Sequence, residues 1–228
     1  DGHRGHVVHF EDYVNDFNIY VSSLNLSIHY KSAYLLSHSM GGAISALYLE
    51  KYSHPFNASI FISPMFSINF NLPEQLAELI INSYAKICTL LDDQPSYVLG
   101  GEDYQEERFK NNHYTSSELR FNASNNLFKE HPKAQLGSPT MHWLKESIEA
   151  MKKAIVQAKN IRIPILVIQA GADKIVTSNG QLHFFENASL SSQKNKLLDI
   201  PDAQHEILLE QDKYRVPAIS AILQFITS

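Results

Sequence analysis

The sequence has a single cysteine, Cys88, among its 228 residues, so no disulfide can form within the chain. This scarcity favours a reducing compartment. The chain also lacks an apolar run of roughly 18 residues, the length that a membrane-spanning helix needs. Lys and Arg form no basic block and the net charge is −5, which argues against a nucleic-acid-binding protein. The chain does not begin with methionine, and its first residues are polar and rich in histidine.

The length of 228 residues fits one large domain or one domain with an insertion. Hydrophobic residues make up 44% of the chain, which is enough for a core. Short apolar runs at 33–36, 58–62, 163–169 and 196–200 predict strands. Residues 10–24, 41–51, 178–187 and 214–226 have the composition or periodicity of helices. The run "IPILVIQ" shows no polar alternation, as is typical of a parallel strand covered on both faces. Predicted strands thus alternate with predicted helices along the chain. This order predicts an α/β fold with a mostly parallel sheet and flanking helices.

The middle of the chain interrupts the alternation. Residues 66–160 contain no clear strand, but they include helix candidates at 74–91 and 142–159 around a polar stretch at 92–133. We interpret this part as a helical cap laid over the edge of the sheet. The expected organisation is therefore a first core segment at 1–65, the cap at 66–160 and a second core segment at 161–228.

The stretch "SHSMGG" places Ser39 between a predicted strand and a predicted helix. It resembles the nucleophile-elbow pattern G-x-S-x-G, with Ser37 at the position of the first glycine. Such a turn exposes the serine Oγ and places it near the N–H groups at the start of the helix, among them that of Met40. The alternative is that Ser39 only caps the helix.

An acid and a base follow in the order that a hydrolase triad requires, which is nucleophile, acid, base. Asp173 comes just after the third predicted strand, and His205 lies in the loop after the fourth. Open α/β sheets place their sites at these strand ends. Alternatives exist for each residue: Asp173 could cap the next helix, Asp199 or Asp202 could be the acid, and His205 is one of 11 histidines.

Six stretches together make the chain similar to bacterial lysophospholipases of the L-two type and to the related monoacylglycerol lipases, all α/β-hydrolases. They are "HRGHVVHFEDYVNDF", "LLSHSMGGAISALYL", "SPMFSI", "GSPTMHWLKES", "LVIQAGADKIV" and "AQHEILLEQDKYR". The resemblance implies Ser39 as nucleophile, Asp173 as acid, His205 as base and the Met40 N–H as one oxyanion donor. It implies a lysophospholipid or monoacylglycerol substrate, no metal or cofactor, and a cytoplasmic protein in loose contact with the inner membrane.

Proteins of this kind normally have several strands and a His-Gly oxyanion loop ahead of the segment "HRGH", and this sequence contains neither. We therefore expect the N-terminal strands to be missing here, the natural protein to be longer, and the second oxyanion donor to lie outside these 228 residues. The residues that precede Asp1 in the natural gene would test this expectation.

His38, Met65, Phe66 and Trp143 are candidate substrate contacts, although the apolar ones could equally pack the cap against the sheet. "HRGH" is a weak zinc signal, because it supplies no Cys or acidic ligand at tetrahedral spacing. Two rival functions stay open, namely an esterase for other acyl esters and a non-catalytic hydrolase-fold binding module. The sequence does not define the oligomeric state.

Overall fold

The computed structural model describes residues 4–70, 74–91, 96–190 and 194–227. In this part of the chain, four parallel strands form one sheet in the order β1-β2-β3-β4. The strands are β1 (Tyr34–His38), β2 (Ala58–Ile62), β3 (Ile165–Ala170) and β4 (Lys196–Ile200). The predicted parallel α/β sheet is thereby confirmed.

Helices precede, connect and follow the strands. They are α1 (Phe10–Ser23), α2 (Leu26–His29), α3 (Met40–Lys51), α4 (Glu74–Leu91), α5 (Glu118–Glu130), α6 (Met141–Gln157), α7 (Ser178–Ser189) and α8 (Asp212–Thr227). Short 3-10 helices lie at Phe109–Asn111, Pro132–Ala134, Ala158–Asn160 and Ile207–Leu209. None of the helices described here combines the length and the hydropathy needed to cross a bilayer.

The two central strands explain why the sheet forms. Every residue of β2 and β3 is buried, because helices cover both faces of the sheet. The larger apolar cluster lies on one face and includes Phe61, Val167 and side chains of α3, α6 and α7. A smaller cluster on the opposite face joins Ile60 and Ile168 to α8. The edge strand β1 leaves Leu36 about half exposed.

Two differences from the predicted elements have clear causes. Strand β1 extends through Ser37 and His38, because their backbones pair with Phe61 and Ile62 of β2. Helix α5 lies inside the stretch predicted to be merely polar, and Phe121 is its one buried side chain among those described. So weak an apolar periodicity gives little signal for a helix.

Helix α6 belongs to the segment predicted as a cap, yet it packs closely on α3 and α7. Its buried residues Ile148, Met151 and Ala154 are part of the larger core cluster. Thr140 caps its N-terminus, where the Oγ1 accepts a hydrogen bond from the Trp143 N–H at 3.1 Å. The division of the chain into two core segments and a cap stays a prediction.

Candidate active site

Ser39 occupies a strained turn between β1 and α3. Its backbone has φ 50° and ψ −123°, in a region that residues other than glycine rarely adopt. The turn is held by hydrogen bonds from the Ser39 N–H to the Ile62 carbonyl (3.2 Å) and from the Met65 and Gly42 N–H groups to the Ser39 carbonyl (2.9 and 2.8 Å). The Ser39 side chain makes no capping bond to α3, so its hydroxyl is directed elsewhere.

The imidazole of His205 joins the serine to an acid. Its Nε2 lies 2.9 Å from the Ser39 Oγ, and its Nδ1 lies 2.8 Å from Oδ2 of Asp173. The His205 residue is only 3% exposed. Seclusion from water strengthens the hydrogen bonds of such a group and keeps its ring in one orientation.

Asp173 is held in place by its own loop. Its Oδ1 accepts hydrogen bonds from the N–H groups of Ile175 (2.8 Å) and Val176 (3.1 Å), which leaves Oδ2 facing His205. It does not cap α7, whose N-cap residue is Thr177. The rival acids Asp199 and Asp202 are both exposed to solvent. The structure therefore brings Asp173, and neither rival, to the histidine.

His38 lies against the other side of His205. The two rings are 4.8 Å apart, and His38 Nε2 is 3.2 Å from the His205 carbonyl oxygen. Burial lowers the pKa of His38, and the neighbouring His205 lowers it further, although Glu206 opposes this effect. A neutral His38 with its proton on Nε2 can donate to that carbonyl and so hold the backbone of His205.

The remaining predicted site residues have different surroundings. Met40 is the first residue of α3, where N–H groups have no partner within the helix. Met65 is buried and donates its N–H to the Ser39 turn. Phe66 is 1% exposed and its ring stacks on Phe184 at 3.9 Å, which accounts for its burial without a substrate. Trp143 is half-buried and packs against the larger core cluster.

The described residues of the "HRGH" segment contact the start of α6, where the Thr140 N–H donates to the Gly5 carbonyl at 2.9 Å. His3 is outside the described residues, and His6 Nδ1 is 3.0 Å from the Oγ1 of Thr140. Among the residues that the structure describes, no group of three or more His, Cys, Asp or Glu side chains is placed to hold a metal ion.

A cavity of about 920 Å³ opens between the 102–139 region and the His205 loop. Tyr114 and Glu206 belong to its wall, and the Tyr114 ring is 6.5 Å from that of His205. The cavity has an apolar side formed by Phe121, Phe128 and Leu136. The predicted substrate contacts His38, Met65, Phe66 and Trp143 are not part of this wall.

A Ser-His-Asp set at the carboxyl ends of parallel strands, with the serine in a strained strand-to-helix turn, is the arrangement found in serine hydrolases of the α/β-hydrolase fold. The comparison with protein families agrees, since the model described as serine aminopeptidase, S33 (Hydrolase_4), matches residues 1–212. The chain therefore belongs to this family.

Two relatives are similar to this protein over nearly the whole chain. Lysophospholipase L2 of Escherichia coli strain K12 is 32% identical over 228 residues, which cover 99% of this chain and 66% of the relative. Monoglyceride lipase of Rattus norvegicus is 25% identical over 209 residues, which cover 91% of this chain and 62% of the relative. The chain thus spans slightly less than two thirds of the length of these relatives.

A solved structure supports the fold independently. The crystal structure of the monoacylglycerol lipase of Paleococcus ferrophilus superposes with a TM-score of 0.69 at 16% identity. The match covers 99% of this chain and 77% of that one. At this level of identity the likeness supports the α/β-hydrolase fold and nothing finer.

Proposed function

We propose that the protein is a serine ester hydrolase that releases the fatty acid of lysophospholipids or monoacylglycerols through an acyl-enzyme. The observation that carries the proposal is the continuous hydrogen-bonded chain from Ser39 through His205 to Asp173. Serine is a weak nucleophile until a base takes its proton, and His205 Nε2 lies at the distance required for that transfer.

In the first half of the reaction, Ser39 Oγ attacks the ester carbonyl carbon while its proton moves to His205 Nε2. Asp173 keeps the Nδ1 proton directed towards itself and stabilises the charged imidazolium. The Met40 N–H at the start of α3 donates to the oxyanion. When the tetrahedral intermediate collapses, the bond from the acyl carbon to the glycerol oxygen breaks, and that oxygen takes the proton from His205.

In the second half, His205 takes a proton from water, and the resulting hydroxide attacks the acyl carbon of the acyl-enzyme. The bond to Ser39 Oγ then breaks, the fatty acid leaves, and His205 returns the proton to Ser39. The proposed mechanism uses only side chains and a backbone N–H group of the protein, together with water.

The substrate class is supported by the two relatives, which are a lysophospholipase and a monoglyceride lipase. The cavity beside Tyr114 and Glu206 is large enough for part of a single-chain lipid.

Such substrates reside in membranes, so we also propose that the protein contacts the inner membrane peripherally from the cytoplasmic side. Leu79 and Leu119 are exposed apolar side chains of α4 and α5 that are available for this contact. Sedimentation with phospholipid vesicles would test it.

The central experiment is the substitution Ser39→Ala in the protein expressed from its natural gene. Hydrolysis of lysophosphatidylcholine, monoacylglycerol and p-nitrophenyl esters should fall by about 10⁴-fold or more, with loss of fluorophosphonate labelling. Ser59→Ala is the matched control, because this serine is buried in β2 and its Oγ has no hydrogen-bond partner in the structure. Unchanged turnover in Ser39→Ala would refute the proposal. Preference for short-chain esters would instead indicate another acyl substrate.

A further inference from the structure

Glu210 is a fully buried carboxylate close to the His205 loop, with 0% exposure. Its Oε1 accepts a hydrogen bond from the Gln204 N–H at 2.9 Å. Its Oε2 accepts from the Ser116 N–H (3.0 Å), the Ser116 hydroxyl (2.5 Å) and the Gln211 N–H (3.0 Å), with the Thr115 hydroxyl at 3.4 Å. A buried carboxylate is costly unless donors surround it, and here they do.

These donors come from two separate parts of the chain. Gln204 directly precedes His205, whereas Thr115 and Ser116 belong to the segment 112–117 of the predicted cap. The two parts are joined again by the Glu206 N–H, which donates to the Tyr114 carbonyl at 2.8 Å. The backbone is therefore anchored immediately before and immediately after His205.

We propose that Glu210 is a positioning residue, which holds the His205 imidazole between Ser39 and Asp173 and joins its loop to segment 112–117. It acts through the Gln204 N–H and does not touch the reacting atoms. The kinetic readouts rest on the proposed esterase function, since only a reacting Ser39 reports on the position of His205. Tyr114 and Thr115 belong to segment 112–117 and also line the cavity. The position of His205, and with it catalysis, therefore depends on a segment that forms part of the cavity wall.

The decisive variant is Glu210→Gln, which keeps the size of the side chain but replaces one acceptor oxygen by an NH₂ group that faces donors. We expect kcat to fall about 10- to 100-fold, the loss typical of a displacement of about 1 Å in a catalytic group. KM should change less than about 3-fold, and fluorophosphonate labelling of Ser39 should slow by the same factor as kcat. Ser116→Ala removes one donor, the hydroxyl, from Oε2 but leaves the Ser116 N–H and the Gln204 bond, so its effect should be smaller.

Asp212→Asn is the matched control. Asp212 carries a nearby carboxylate whose side chain is 71% exposed and is paired with Arg120. The kcat of the Asp212→Asn variant should stay within about 2-fold of the wild-type value. Thermal unfolding of each variant gives the folded fraction, to which the rates are normalised. If Glu210→Gln does not fold, Glu210→Asp and Ser116→Ala provide the same comparison.

A measurement without substrate separates this inference from the proposed function. The ¹H resonance of the His205 Nδ1–H, recorded by NMR with ¹⁵N-labelled histidine and assigned with Asp173→Asn, reports the bond to Asp173. We expect this resonance to shift or broaden in Glu210→Gln and to stay in place in Asp212→Asn. An unaltered resonance and a wild-type kcat in a folded Glu210→Gln variant would show a merely structural role and overturn the inference. A wild-type protein that neither hydrolyses esters nor reacts with fluorophosphonate would refute the proposed function, while the resonance would still decide the role of Glu210.

Discussion

The Nε2 atom of His205 lies 2.9 Å from the Oγ of Ser39, although 166 positions separate the two residues in the chain. The contact depends on the parallel sheet, because Ser39 follows β1 and His205 follows β4, and both strands end on the same side of the sheet. Asp173 follows β3 on that same side and completes the Ser-His-Asp set. Parallel strands bring their carboxyl ends together, so loops distant in sequence become neighbours.

The choice of acid can be tested by exchanging single carboxylates for amides. Asp173→Asn should lower kcat by about 10⁴-fold, because the amide no longer holds the His205 proton on Nδ1. Asp202→Asn should stay near the wild-type rate, since Asp202 is exposed and its φ of 62° suits asparagine. Steady-state ester hydrolysis measures both. A larger loss in Asp202→Asn than in Asp173→Asn would assign the acid to the loop after β4.

The two glycines after Ser39 should differ sharply in their tolerance of a methyl group. A Cβ at Gly42 would lie 2.6 Å from the Cβ of Pro64, so Gly42→Ala should lower the free energy of unfolding by about 1 to 3 kcal/mol. A Cβ at Gly41 would meet nothing within 4 Å, and Gly41→Ala should leave stability unchanged or raise it by up to about 1 kcal/mol. Urea unfolding distinguishes the two. Equal effects would mean that the contact with Pro64 is not the cause.

Glu50 should make the protein less stable as the pH rises. Burial raises the pKa of this α3 carboxyl from its ordinary value of 4.5 to about 9, although Lys153 on α6 opposes the shift. Both carboxyl oxygens are buried without a hydrogen-bond partner in the structure. The folded state then binds a proton that the unfolded state has released, so the free energy of unfolding contributed by this group decreases between about pH 4.5 and pH 9.

Glu50→Gln should remove this decrease and raise the free energy of unfolding at pH 7 by roughly 1 to 3 kcal/mol. Urea unfolding across the pH range measures it. Glu149→Gln on α6 is the control, because its side chain is 64% exposed and forms an ion pair with Lys145. A Glu50→Gln variant with the wild-type pH dependence would contradict the buried neutral acid.

Much of the fold could be predicted because its signals are local. The uninterrupted apolar runs of β2 and β3 require burial on both faces, which indicated a covered parallel sheet. Helix α5 was missed because its side chains are mostly polar and its packing relies on Phe121. Glu210 was also missed, since a charged residue beside a predicted helix is ordinarily on the surface. Its donors at 115 and 116 are remote in sequence.

The sequence by itself determined which residues can do the chemistry and where the chain turns. Small residues around Ser39, an acid after β3 and a histidine after β4 are local features that propensity and order reveal. Only the tertiary structure decided that the carboxylate of Asp173 lies beside His205, that Phe66 stacks in the core, and that Glu210 lies buried beneath the histidine loop. These relationships depend on side chains from distant segments meeting across the sheet, and no local pattern encodes such distances.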